Sequence, residues 1–345
     1  RKAFSETGHK MDDRRGDHQS QALITRAETG VTGDVSSRAL VTGNPVALAH
    51  AVFGDAWSQL ILREAFFGVR RFSDWSDSLG IPRSVLSQRL AQLCDVGIMA
   101  AVIPVGRKRA EYLLTPMGLD LFGAALIQGQ WERKFAPSAM QERYSLTFFN
   151  TVTGDVIDPV VLDREEGKPI AINDVGYVLS PDLKEQAKPP LRRMATVRVQ
   201  LERPMIERSV SIIGDYWTWS IVACAFLRIR RFDAMLEATG MAPNLLSDRL
   251  ARLVEFGLLK KAQYQSSPAR YEYRLTDVGL ALHPLVLSIH GWSERWLCNF
   301  DNPPVQLVRR STGERITPVV CDRSTGKVIR AKRTGWRMEA PVRAR

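Results

Sequence analysis

The sequence predicts an α+β, helix-rich chain made of two tandem copies of one unit, each copy followed by a small β-rich tail. Three observations carry this. First, RRFSDWSDSLGIPRSVLSQRLAQLCDVGIM at 70–99 returns as RRFDAMLEATGMAPNLLSDRLARLVEFGLL at 230–259, and an ungapped alignment of 53–99 with 213–259 is identical at seventeen of 47 positions. Second, the match continues downstream: YLLTPMG (112–118) answers YRLTDVG (273–279), and TGDVIDPVVLDREEGKPI (153–170) answers TGERITPVVCDRSTGKVI (312–329). Three collinear blocks mean that the unit was duplicated with its tail. Third, the apolar residues of each unit recur first at helical spacing and then in alternation, and 345 residues exceed one small core.

The elements follow in order. WSQLILREAFFG carries Leu60, Ile61, Ala65 and Phe66 on one side of a helix. RRF is a short extended piece, and FSDWSDSL is a second helix ended by Gly80. Pro82 suits the start of the next helix better than its interior. RSVLSQRLAQLCDVG is that helix, with Leu86, Leu90 and Leu93 as its core stripe and Gly97 as its stop. IMAAVIPV and AEYLLT flank GRKR and read as a β-hairpin with a basic tip. Thr115 and Pro116 open a long final helix, Pro116–Phe135, matched by Asp277–Trp296 in the second copy. Helix, strand, helix, helix, hairpin, helix is the order of a winged helix-turn-helix.

The expected domains are a polar, flexible N-terminal arm (1–43), a first winged domain (44–137), a small β-rich extension (138–180), a linker (181–203), a second winged domain (204–300) and a basic β-rich extension (301–345). The net charge is +11, of which residues 301–345 carry +7 by count. A basic balance placed in this way favours acidic partners, nucleic acid first.

Taken together, G-D-x-W, the RRF block, L-S-x-R-L-x-x-L-x-x-x-G, E-Y-x-L-T-x-x-G and the closing W-x-R resemble the HxlR family of bacterial transcription regulators, close to the MarR group. The resemblance spans about 44–137 and 204–297. It implies a DNA-binding regulator that works as a homodimer of single winged domains; two such domains in one polypeptide depart from that pattern. It also implies that the final helices are dimer elements, here able to pair within one chain as a pseudo-dimer, with or without further pairing of two chains.

On this reading the recognition helices are 84–94 and 244–254, entering adjacent major grooves. Their small polar faces suit base edges and phosphates. The DNA-contacting set is Arg83, Ser84, Ser87, Gln88, Gln92 and the wing residues Arg107, Lys108 and Arg109 in the first unit. In the second unit it is Asn244, Ser247, Asp248, Arg252 and Arg270. Asp248 stands where the first unit has Gln88 and repels phosphate unless it accepts a hydrogen bond from cytosine, so the second unit is expected to bind more weakly or to read a different half-site. Arg89 and Arg249 lie beside the leucine stripe and are expected to brace the fold through buried ion pairs. The tails are expected to pack on the winged domains or on each other, the second adding phosphate affinity.

Other chemistry is not encoded. The four cysteines form no CxxC pair, the five histidines have no ligand spacing, and no metal or cofactor is expected. In the resembling family some members carry a redox cysteine before a Pro-Val pair; here Asn44 precedes Pro45 and Val46. No catalytic motif appears, so an enzyme is not expected. No apolar run approaches the ~20 residues of a membrane span, and the expected setting is cytoplasmic, on the nucleoid. Double-stranded DNA is the expected partner, with a small-molecule effector of unknown identity. The alternative is a protein- or ligand-binding scaffold built on degenerate winged domains, or binding without sequence preference.

Overall fold

The computed structural model describes residues 36–137, 145–181, 183–184 and 205–339. The first copy runs α1 (Ser37–Thr42), α2 (Pro45–Phe53), α3 (Ala56–Phe66), α4 (Phe72–Leu79), α5 (Arg83–Asp95), β1 (Met99–Val102), β2 (Glu111–Leu114), α6 (Pro116–Leu119) and α7 (Phe122–Phe135). Its tail is β3 (Ser145–Asn150), β4 (Pro159–Asp163) and β5 (Val175–Leu179). The second copy repeats this as α8 (Glu207–Ile213), α9 (Tyr216–Phe226), α10 (Phe232–Thr239), α11 (Pro243–Glu255), β6 (Leu259–Ser266), β7 (Ala269–Leu275), α12 (Asp277–Leu280) and α13 (His283–Trp296). Its tail is β8 (Val305–Arg309), β9 (Pro318–Asp322) and β10 (Thr334–Glu339).

Local chemistry sets the boundaries. Asp55 and Asp215 cap α3 and α9, Asp55 accepting the Ser58 N–H and Asp215 those of Trp217 and Thr218. Gly80 and Gly240 end α4 and α10 at φ +58° and +63°, a left-handed turn that a side chain would strain. RRF is a single-bridge third strand of each hairpin, Arg71 opposite Glu111 and Arg231 opposite Glu272.

The two copies are interlocked. Each tail strand pairs with the other tail: β3 with β10, β5 with β8, and β4 with β9, all antiparallel. In β4–β9, Val161 stands opposite Val320, the residue at the same place in the other copy. The exchange extends to helices. α1 packs on α10, α2 packs on α9 and α13, and α8 packs on α3 and α7. One continuous cluster of buried apolar side chains therefore runs through both units.

The final helices differ from the sequence expectation in an informative way. Each is broken after its first turn. Leu121 N–H turns to Gly118 O instead of continuing to Met117 O, and Leu282 N–H turns to Gly279 O. The released carbonyls are used across the two units. Met117 O accepts the indole N–H of Trp292 at 2.9 Å, and Val278 O accepts that of Trp131 at 3.1 Å. Arg295 and Trp296 then both donate to Asp120.

The N-terminal arm also departs from expectation. Residues 1–35 lie outside the described residues, but 37–42 form α1, with Ala39, Leu40 and Val41 buried against the second copy. The apolar run ALV is short enough to pass for part of a polar arm, and its partner is nearly two hundred residues away. Of the linker, residues 182 and 185–203 lie outside the described residues, and Leu183 is buried.

Charge completes the tails. Arg309, only 8 % exposed, bridges Asp163 at 2.9 Å, Asp174 at 3.3 Å and Glu166. Arg323 pairs with Asp158 at 2.7 Å. Some of the basic excess of the second tail is thus matched to the carboxylates of the first instead of being free for phosphate.

Replacing Trp131 or Trp292 by Phe leaves a buried carbonyl without its donor. Each change is expected to cost about 1–3 kcal/mol, read as a lower urea midpoint at unchanged slope. A second expectation concerns acid. His50 (α2) stacks on Trp219 (α9), ring centroids 4.3 Å apart, and burial pulls its pKa down to about 3. Its folded pKa is depressed, so the unfolded chain binds the extra proton between pH ~6.5 and ~3. Its contribution is full above pH ~6.5 and is lost as pH falls toward 3. The melting temperature of His50→Phe should therefore fall less steeply over this window than that of the parent; equal slopes would refute it.

Candidate nucleic-acid interface

α5 and α11 are the second helices of the two helix-turn-helix units. Their inner stripes, Leu86, Leu90 and Leu93 and then Leu246, Leu250 and Leu253, are each at most 1 % exposed. Their outer faces carry Arg83, Ser84, Ser87, Gln88 and Ala91 in one copy and Asn244, Ser247, Asp248 and Ala251 in the other, all exposed. Exposure follows the same pattern along the two helices. Short side chains on such a face leave room for the helix backbone in a groove about 12 Å wide.

What fixes this face is the pair of arginines beside the leucines. Arg89 is 7 % exposed and its Nε donates to Asp55 Oδ1 at 2.8 Å. Arg249 is 8 % exposed, its Nε 3.5 Å from Asp215 Oδ2. Asp55 and Asp215 cap α3 and α9, so one carboxylate orders the start of one helix and the orientation of another. This is why G-D-x-W and S-x-R-L travel together in the two copies.

Two residues of the expected DNA set sit deeper than the rest. Gln92 Nε2 donates to Val52 O at 2.8 Å, and Arg252 Nη2 donates to Ser211 O at 3.3 Å. These equivalent, half-buried positions tie α5 to α2 and α11 to α8. Helical angle alone put them on the outer face; the exchanged N-terminal helices cover them. Asp248 is exposed, but Arg249 Nη1 donates to its Oδ2 at 2.6 Å, which compensates its charge. Gln88 accepts from Arg89 Nη1 at 3.3 Å in the first copy.

The wings differ in length. The first has four-residue strands and carries Arg107, Lys108 and Arg109 in the loop between them, all exposed. Arg107 is held by Glu111 at 2.5 Å. The second has strands of eight and seven residues joined by Ser267 and Pro268 through a cis bond, with Arg270 exposed near the tip. It also presents a basic and aromatic ladder. Lys261 lies over Tyr271 at 4.2 Å, and Arg231 lies over Tyr264 at 4.5 Å. The alternation in KKAQYQ and RYEYRL was the available signal.

Among the described residues no helix is long and apolar enough to cross a membrane. Comparison with known proteins places these two winged units. The model of the HxlR-like helix-turn-helix family matches residues 52–140 and again 212–301, more than half of the chain. The chain belongs to the HxlR-like helix-turn-helix family. It carries the family domain twice. An uncharacterized HTH-type transcriptional regulator of Mycobacterium tuberculosis is 32 % identical over 133 residues, which cover 39 % of this chain and 84 % of that protein. Another, from Bacillus subtilis, is 35 % identical over 98 residues, covering 27 % of this chain and 88 % of that one. A Pseudomonas aeruginosa protein solved as a candidate transcription factor is 34 % identical, with 32 % of this chain and 75 % of that chain covered and a TM-score of 0.26.

The arginine–aspartate bracing has a direct test. Arg89→Met strips a buried partner from Asp55 and is expected to destabilise the chain by about 1–3 kcal/mol in urea unfolding. Asp55→Asn keeps a capping side chain and should cost less. Equal and negligible costs would mean the pair does not hold the helix.

Proposed function

We propose that the chain is a transcriptional regulator that reads duplex DNA as a covalent pseudo-dimer. α5 and α11 enter adjacent major grooves, and the wings lie on the backbone. The observation that carries this reading is reciprocity. Both copies present a braced helix with the same exposed face, and the contacts joining them occur in matched pairs: Trp292 on Met117 with Trp131 on Val278, and β3 on β10 with β8 on β5. A protein that must place two helices about one DNA turn apart, ~34 Å, needs such a frame. Family membership and the HTH regulators among its relatives support the same reading.

The two halves do not read alike. Ser84, Ser87 and Gln88 face one half-site with Arg83 beside them, and Arg107, Lys108 and Arg109 meet the backbone nearby. Asn244, Ser247 and Asp248 face the other. There the longer wing adds Lys260, Lys261 and Arg270, all exposed. With Asp248 held by Arg249, this half is not simply a weaker copy; it reads a different sequence, and the operator is asymmetric. Gln92 and Arg252 act here by positioning their helices.

Selection of genomic fragments followed by footprinting tests this. One chain should protect two unlike half-sites one helical turn apart. Neutralising Arg107, Lys108 and Arg109 together should weaken binding at every sequence and lower the salt slope by about 2–3. Gln88→Ala should instead relax the preference of one half-site alone, at a cost of about 1–3 kcal/mol. Binding indifferent to all of these changes would favour the scaffold alternative.

A further inference from the structure

Duplication placed the same cavity twice in this molecule, and only one copy is open. In the first copy the space between α3, α7, β3 and β10 is lined by Phe66, Phe67, Phe122, Phe148 and Trp336. The rings fill it: Phe66 meets Phe122 at 5.2 Å, Phe122 meets Phe148 at 6.0 Å, and Phe67 meets Trp336 at 5.0 Å. About 280 Å³ remains, its mouth included.

The second copy has the same walls, α9, α13, β8 and β5, closed on one side by Leu40 and Asn44 of the first copy. Its plugs are gone. Leu227 stands for Phe67, His283 for Phe122, Leu307 for Phe148 and Tyr177 for Trp336. The space rises to about 640 Å³, mouth included, more than twice that of the first copy. Among the described residues no Asp, Glu, Lys or Arg lines it.

The polar groups diverge in the same direction. In the first copy Gln59 accepts from Gln128 at 3.1 Å, and Gln128 also donates to Ser209 at 3.0 Å. In the second copy Gln59 is replaced by Trp219 and Gln128 by Ile289, so that chain is absent. Trp219 lines the cavity, is 4 % exposed, and its indole N–H has no hydrogen-bond partner among the described residues. A buried donor left unmade costs about 1–3 kcal/mol, a cost that an acceptor on an occupant would remove. His283 lies in the same wall, and burial pulls its pKa down to about 4, so it is neutral at pH 7.

We propose that this cavity is a binding site, one per chain, for a small uncharged aromatic molecule carrying a hydrogen-bond acceptor that takes the Trp219 indole N–H. An anion has no cation in the lining to meet it, and a cation has no carboxylate. The walls come from both units, so an occupant bears on how they are held together; that consequence rests on the DNA-binding reading, while the site itself does not.

The test uses the full chain without DNA. Acetophenone, 1-indanone and 1-tetralone serve as uncharged probes and benzoate as the anionic control, followed by calorimetry and tryptophan fluorescence. The expected result is saturable binding of at least one ketone at one site per chain, with benzoate at least about tenfold weaker. Trp219→Phe should weaken the ketone about tenfold, the value of one hydrogen bond. Leu307→Phe, which restores the residue of the closed copy, should abolish binding; His283→Phe does the same if the first variant fails to fold by circular dichroism. Lack of saturable binding by all three ketones overturns the proposal. So does a folded plug variant that still binds, or a stoichiometry of two. Failure of DNA binding in the footprinting experiment would leave these outcomes untouched.

Discussion

The carbonyls of Met117 and Val278 hold this architecture together. A continuous final helix would have used each of them internally. A break after one turn releases them, and each takes the indole N–H of the other unit's tryptophan. A buried carbonyl must find a donor, so the break and the contact between units require each other. Arg295 and Trp296 on Asp120 extend the same joint at one end. The exchanged helices and strands then surround it.

The tails add a second kind of closure. Backbone pairing alone would allow several arrangements of six short strands. Arg309, among Asp163, Glu166 and Asp174, distinguishes one tail from the other. A nearly buried guanidinium with three carboxylates in reach is costly to misplace. The charge asymmetry along the sequence is therefore partly a device for assembly within the chain, and the share open to phosphate is smaller than composition suggests.

The repeat, the leucine stripes, the glycine stops and the order of elements from α3 and α9 onward were readable because each rests on short-range periodicity or local backbone chemistry, whereas α2, α8 and the Asp55 and Asp215 caps were not read. Arg89 and Arg249 were placed in buried pairs from helical angle alone, although Asp55 and Asp215 were not named as their partners. What stayed hidden is long-range. Alternation in the tails marked strands but carried no record of their partners, since β3 pairs with a strand nearly two hundred residues away. The burial of α1 and the covering of Gln92 and Arg252 were missed for the same reason. The length of the second wing was local, but SSP masked the turn and the Lys261 and Tyr271 pair beyond it.

The exchange of strands and helices also governs how the protein is made. As the chain leaves the ribosome, the first unit emerges with α1 and α2 lacking α10 and α13, and with one edge of β3 lacking β10 while Val156 of the same tail pairs the other. Domains usually fold as they are synthesised, N-terminal first. Here the first half cannot complete its core until Thr334–Glu339 has been added. Until α10 and α13 have been made the polypeptide carries Leu40, Val41 and Phe53 uncovered, and the pairing of β3 waits for β10.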